Sequence, residues 1–252
     1  MGQLDYIASR SAAPAGASCV APADSDDVQR VRAFWRRVER YPAGVQMGVE
    51  SGPGRGRRLV IVSGWACELR ILPDGRRQIF GFLLPGDVVD TEVTRDLGAR
   101  GVMTLTRLQA VEAEGEAADP ATPAERAAAA SRREERLYDH MVRMGRLTAR
   151  ERVLHLLLEL CERLEAAGLV RDESFRIPLT QELFADTLGL SVVHINRTLK
   201  ALREEGSITL KAGSVTLHNR ARLAVACCYE PPRPVAGLGA GREGVRRRTA
   251  EI

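Results

Sequence analysis

A chain of 252 residues, 44% of them hydrophobic, has the length and apolar content for one large or two modest domains, which excludes disorder throughout. Its net charge of +4 within a charged fraction of 28% is a mild basic excess that permits a nucleic-acid partner without demanding one. The N-terminal residues lack the basic, apolar, small-residue order of a secretory signal. No stretch nears the roughly 18 consecutive apolar residues of a membrane span, so a cytoplasmic protein with no membrane partner is expected. Five cysteines (Cys19, Cys67, Cys161, Cys227, Cys228) form no C-x-x-C pair, and their odd number argues against a complete disulfide framework. All four histidines (His140, His155, His194, His218) fall beyond residue 139, which leaves the first half without an imidazole for a metal or haem.

In chain order, residues 1–25 are rich in Ala, Ser, Pro and Gly and predict a disordered arm. Val28, Val31, Phe34, Trp35 and Val38 recur at helical spacing and predict a helix over 26–40, broken by "RYPAG". Residues 43–110 then carry short β-type runs, "GVQMGV", "RRLVIVSGWACELRIL", "PDGRRQIFGFLL", "PGDVV" and "GVMTLTRLQAVE", divided by turn residues. Pro73-Asp74-Gly75 supplies a hairpin turn, and strands at this spacing predict a small barrel or jelly roll. An acidic, Ala-rich, Pro-broken segment at 112–126 closes that domain.

From about Glu125 to Met144, Ala130, Leu137, Met141 and Met144 fall near one face of a charged helix. The stripe is narrow for a globular core and suits pairing with a second copy, which makes Leu137, Met141 and Met144 candidate homodimer contacts. A surface helix packed on its own domain is the alternative. "TARE" at 148–151 is a capping box with Thr148 as N-cap and Glu151 three residues on. Val153, Leu154, Leu157, Leu158, Cys161 and Leu164 then form a strong apolar face that ends near Gly168, with Cys161 as a small core residue.

In "LTQELFADTLGLSVVHINRTLKALREEG", residues 179–206, Thr180 caps a helix over 181–187, Gly189 marks a turn and Ser191 caps a second helix to about Glu204. Ile195, Leu199 and Leu202 point inward at i, i+4 and i+7, which turns Val192, Val193, Asn196, Arg197, Lys200 and Arg203 outward. Ala185, Gly189 and Ile195 stand where a helix-turn-helix needs a small contact residue, a turn residue and a branched apolar residue. A generic helical hairpin with a solvated face also fits this segment alone. The flanks narrow the choice, because "SITLKAGSVTLHN" reads as a β-hairpin wing and "SFRIPLT" as a third strand. On DNA, Arg197 is placed for guanine, Asn196 for adenine or phosphate, and Val193 for a thymine methyl, with Val192 beside it. Lys200 is placed for phosphate, and the helix starts at Thr180 and Ser191 present backbone N–H groups to phosphate.

With these motifs assembled, the chain resembles the Crp/Fnr family of bacterial transcription regulators over roughly residues 28–222. The resemblance rests on "SGWACELRILPDGRRQIFGFLLPGD" at 63–87, "LTARERVLHLLLELCERL" at 147–164 and "LTQELFADTLGLSVVHINRTLKALREEGSI" at 179–208. It implies an α+β fold: a cyclic-nucleotide-binding-like β-roll over 26–122, a long dimerisation helix over 123–146 and a Crp-type winged helix-turn-helix over 147–222. Residues 229–252, rich in Pro, Gly and Arg, follow as a disordered basic tail in which Arg246–Arg248 reads as a solvated run. The implied function is a sequence-specific regulator that binds a palindromic operator in double-stranded DNA as a homodimer, with RNA polymerase as a further partner.

Departures from the family pattern refine this expectation. Members that bind cyclic nucleotides carry Gly-Glu soon after the "GD" of the roll, then Arg-Ser or Arg-Thr, whereas here Asp90 and Thr91 take the first place and Arg100 is followed by Gly101. Members with an iron–sulfur cluster use several N-terminal cysteines, whereas Cys19 stands alone before Cys67. No cofactor is therefore expected. Members with the best-known operators have Glu where Val193 stands, ahead of an Arg matching Arg197, so a different half-site is expected. A nucleotide-binding sensory module acting mainly through a protein partner is the competing function. An enzyme is not expected, since the sequence offers no nucleophile–base pairing, phosphate loop or metal-ligand spacing.

Overall fold

The computed structural model describes residues 38–47, 57–90, 100–112, 123–171 and 173–231. The predicted N-terminal arm, residues 26–37 of the predicted first helix, Thr91 and Arg246–Arg248 lie outside the described residues. The chain divides into two compact units, one of Met1–Cys67 with Phe82–Ala113 and one of Glu68–Gly81 with Glu114–Ile252.

The strands are β1 (Val38–Tyr41), β2 (Gln46–Met47), β3 (Arg58–Ser63), β4 (Ala66–Ile71), β5 (Arg77–Leu83), β6 (Val88–Asp90), β7 (Arg100–Thr104) and β8 (Leu108–Glu112). They form two four-stranded sheets in the orders β1-β8-β3-β6 and β2-β7-β4-β5. Met47, Leu59, Ile61, Ala66, Leu83, Val89, Val102, Leu108 and Ala110 fill the core of the first unit. These are the inward positions of alternating strands, as in Leu59 and Ile61 of β3, so period-two patterning is what drives the strands to pair. Val38 corrects the sequence reading: it lies on β1, paired with Val111 of β8 in a register that continues to Tyr41 opposite Leu108. At Val38 the backbone bonds and cross-strand contacts that β8 offers outweigh helical spacing.

In the second unit, α1 (Pro123–Arg146) leads into α2 (Ala149–Ala166), followed by β9 (Ser174–Arg176), α3 (Gln181–Leu188), α4 (Val192–Glu204), β10 (Ile208–Lys211), β11 (Ser214–Leu217) and α5 (Arg220–Ala226). The capping box at the start of α2 is formed, with the Thr148 backbone N–H donating to Glu151 at 2.7 Å. Those bonds hold the Glu151 carboxyl below its usual range. Val153, Leu154, Leu156, Leu157, Leu158, Leu160, Cys161 and Leu164 are all buried, so α2 is the central pillar of this unit. The strands form a sheet in the order β10-β11-β9, and the β10–β11 turn is made by Ala212 and Gly213, both at positive φ, the twist that a two-residue hairpin prefers.

The tail prediction is corrected at its first residue. Tyr229 is held against α2, donating its hydroxyl to Glu162 at 2.5 Å, with its ring edge-on to His155 at 5.0 Å between centroids. No helix among the described residues is long and apolar enough to cross a membrane.

Candidate nucleic-acid interface

The interface begins with local capping. The Thr180 hydroxyl accepts from the Leu183 N–H at 3.3 Å and starts α3, and the Ser191 hydroxyl accepts from the His194 N–H at 3.2 Å and starts α4. Between them Gly189 ends α3 in the left-handed conformation, φ +61 and ψ 36, where a residue with a side chain is strained. Phe184, Ala185 and Leu188 of α3 are buried, as are Ile195, Leu199 and Leu202 of α4, so the two helices share one apolar seam. Thr198 is buried in the same face and donates its hydroxyl to the His194 carbonyl at 2.9 Å.

The opposite face of α4 is open. Val192, Val193, Asn196, Arg197, Lys200 and Arg203 are exposed, as the inward set predicts for a helix of this register. Lys200 lies 3.7 Å from Glu204 across one turn, a solvent-screened pair of small worth that leaves the ammonium free to swing to another anion.

What holds the two-helix unit in place was invisible in the sequence. Arg152 of α2 donates to three carbonyls: Met144 at 2.9 Å, Leu147 at 2.8 Å and Leu188 at 3.0 Å. One guanidinium thus satisfies orphan carbonyls at the ends of both α1 and α3. Arg77, on β5, pairs with Asp186 of α3 at 2.7 Å within the same compact unit. Arg150 of α2 meets Glu205 at the end of α4 at 2.7 Å.

Behind α1 lies a cluster of buried charge. Arg143, 2% exposed, donates to Glu159 at 2.5 Å and lies 3.1 Å from His155 Nδ1. Guanidinium cannot accept, so Nδ1 must, which requires a neutral imidazole. Burial, reinforced by the nearby Arg143 charge, pushes the pKa of both His155 and His140 down to about 4. Burial acting alone would raise the Glu159 carboxyl, but the Arg143 and Arg163 charges reverse this and hold it below its usual range.

The candidate dimer residues divide. Leu137 and Met141 are exposed on α1, joined there by Tyr138 and Val142, which the sequence reading did not include. Met144 is partly buried instead, its Cε beside Gly189 at the helix-turn-helix turn. Among the described residues no group of three or more His, Cys, Asp or Glu side chains is arranged to hold a metal ion.

A capped helix-turn-helix followed by a two-stranded wing, with a polar and basic face on its second helix, defines a winged-helix DNA-binding regulator. The model of the Crp-like helix-turn-helix domain matches residues 151–226. The chain is 33% identical over 159 residues to the nitrogen fixation regulation protein FixK of Bradyrhizobium diazoefficiens, covering 61% of this chain and 67% of that one. It is 32% identical over 172 residues to the transcriptional activator protein FnrL of Cereibacter sphaeroides, covering 60% and 64%. The solved structure of FixK2 from Bradyrhizobium japonicum matches with a TM-score of 0.61 at 25% identity, over 78% of this chain and 98% of that one. The chain belongs to the Crp/Fnr family and is a DNA-binding transcription regulator of that type.

Proposed function

We propose that this regulator works as a homodimer paired along α1, placing two α4 helices in successive major grooves of a palindromic operator. The observation that carries the dimer is the exposed apolar stripe of Leu137, Tyr138, Met141 and Val142 on a helix of 24 residues. Large apolar side chains on one surface of a charged helix gain from being covered, and a two-fold copy of the same stripe is self-complementary. Met144 contributes to the seating of the turn at Gly189 rather than to this stripe.

Within each half-site Arg197 makes the bidentate guanine contact, Asn196 contacts adenine or phosphate, and Lys200 contacts phosphate. The N-termini of α3 and α4, at Thr180 and Ser191, add backbone N–H groups toward phosphate. Residues 26–122 form the sensory domain, 123–146 the dimerisation helix and 147–222 the DNA-binding domain. The protein acts on DNA in the cytoplasm, engages RNA polymerase there and catalyses no reaction. Neither a cyclic nucleotide nor an iron–sulfur cluster is obligatory, since Asp90 and Thr91 replace the Gly-Glu pair and Cys19 stands alone before Cys67.

The test is to enrich random double-stranded DNA on the purified full chain, read the bound sites and measure the mass of the complex by sedimentation. Two inverted half-sites bound by two chains is the expected result. A single unsymmetric site bound by one chain overturns the dimer, and no enriched sequence favours a module acting through a protein partner.

A further inference from the structure

We propose that Val192 and Val193 read the 5-methyl groups of thymine, so that each half-site carries T·A pairs within one or two steps of the guanine contacted by Arg197. This deepens the operator reading above and rests on α4 being the helix that enters the major groove.

The first turn of α4 gives the argument. Val192 is 37% exposed and Val193 75%, although Ile195, Leu199 and Leu202 on the other face are buried. Folding does not account for Val193 or for the open part of Val192. Valine is a poor helix former, because its branched carbon loses rotamer freedom against the preceding turn, and Val193 at its exposure gains little from burial. The turn holds no acidic residue, and the Ser191 hydroxyl is already engaged with the His194 N–H. Its outward side therefore presents the methyl groups of Val192 and Val193, with the partly buried His194 imidazole as the one polar side chain within the turn.

That chemistry selects one occupant. Along the major-groove edges of the four bases, the thymine methyl is the only apolar group. A valine set against a cytosine or adenine amino group, or against guanine O6, strips water from a polar atom and returns no hydrogen bond, so selection acts both for thymine and against the rest. The occupant is DNA rather than another protein because the valines continue the reading face. Val193 and Arg197 are separated by four residues, hence on the same side of the helix, roughly 6 Å apart along its axis. Base pairs stack at about 3.4 Å, so the methyl contact falls one or two steps from the guanine.

The test uses the wild-type full chain and its own enriched site. Every thymine within two steps of the guanine whose preference depends on Arg197 is replaced in turn by deoxyuridine, which removes the methyl and leaves base pairing unchanged. Binding is followed by fluorescence anisotropy. At one or two positions per half-site, affinity should fall about threefold to fivefold per methyl, the factor expected for one buried carbon. Placing 5-methylcytosine at the same step of a T→C site should recover part of the loss. A Val192→Ala, Val193→Ala chain, with its folding checked by thermal unfolding, should bind thymine and deoxyuridine sites alike. Deoxyuridine sites bound as tightly as thymine sites, or an enriched site with no thymine near the guanine, overturn the inference while leaving the operator reading intact. Failure to enrich any sequence removes both.

Discussion

The terminal methyl of Met144 lies against Gly189 so closely that a Cβ added to the glycine would come within 2.3 Å of it. The end of α1 and the turn of the helix-turn-helix are thus fitted to each other at a position where the backbone is left-handed, φ +61. Gly189→Ala should lower stability by about 1–2 kcal/mol through backbone strain, with a further loss from displacing Met144. In the Met144→Ala, Gly189→Ala chain the second part should vanish, so the pair should be more stable than the sum of the singles predicts. Urea unfolding of the four chains measures this, and strict additivity would show that the two side chains do not meet.

A second prediction concerns acid. His140 and His155, buried beside Arg143 and Glu159, have pKa values near 4, below the roughly 6.5 of an unfolded histidine. Between those values the unfolded chain binds more protons, so the stabilisation present above pH 6.5 is lost as pH falls toward 4. Each histidine contributes on the order of 3 kcal/mol at most. Urea midpoints should fall steadily from pH 7.5 to 5, and a His155→Gln chain should lose less over that range. Equal midpoints at pH 7.5 and 5 would contradict the buried neutral imidazoles.

The α1 stripe predicts the effect of charge. Leu137→Asp with Met141→Asp should yield folded monomers, because neither residue belongs to the buried core of its own chain, Met141 being 58% and Leu137 37% exposed. Analytical ultracentrifugation at micromolar concentration should show the halved mass, and affinity for a palindromic site should drop at least tenfold. A wild-type chain that is monomeric and still binds such a site tightly would remove α1 from the interface.

Arg197 and Lys200, both exposed on α4, should behave differently when truncated. Arg197→Ala should cost about 1–3 kcal/mol and relax one base preference per half-site. Lys200→Ala, which also releases Glu204, should weaken all sequences alike and flatten the log–log salt slope by about one unit. Titrations against a panel of single-base variants at several salt concentrations separate the two. An Arg197→Ala chain that keeps every base preference would show that α4 is not the reader.

Local signals were legible in the sequence. Thr148, Thr180 and Ser191 announce helix starts by short-range chemistry, Gly189 announces a stop, and the inward set of α4 follows from its period. Long-range partners were not. Val38 belongs to β1 because β8 lies beside it, and Met144 leaves the face its spacing assigns because the turn at Gly189 receives it. Nothing local marks Arg143 or Arg152 among the charged residues around them, yet one is buried on Glu159 and the other satisfies carbonyls from segments up to 36 residues away. Tyr229 read as tail because nothing nearby in sequence shows that α2 will meet it.

The Arg143–Glu159 pair makes the elbow between α1 and α2 a keyed joint. Sliding either helix by one residue would turn it through about 100° and part the two charges, leaving the buried Arg143 guanidinium without its carboxylate at a cost of several kcal/mol, while Glu159 keeps Arg163 of its own helix at 3.4 Å. A greasy contact between helices tolerates small slips, since one methyl substitutes for another, whereas a buried ion pair has a single register. The elbow therefore resists graded sliding. The joint ties a turn of α1 to α2, whereas contacts held by water-facing pairs such as Arg150–Glu205 yield more easily.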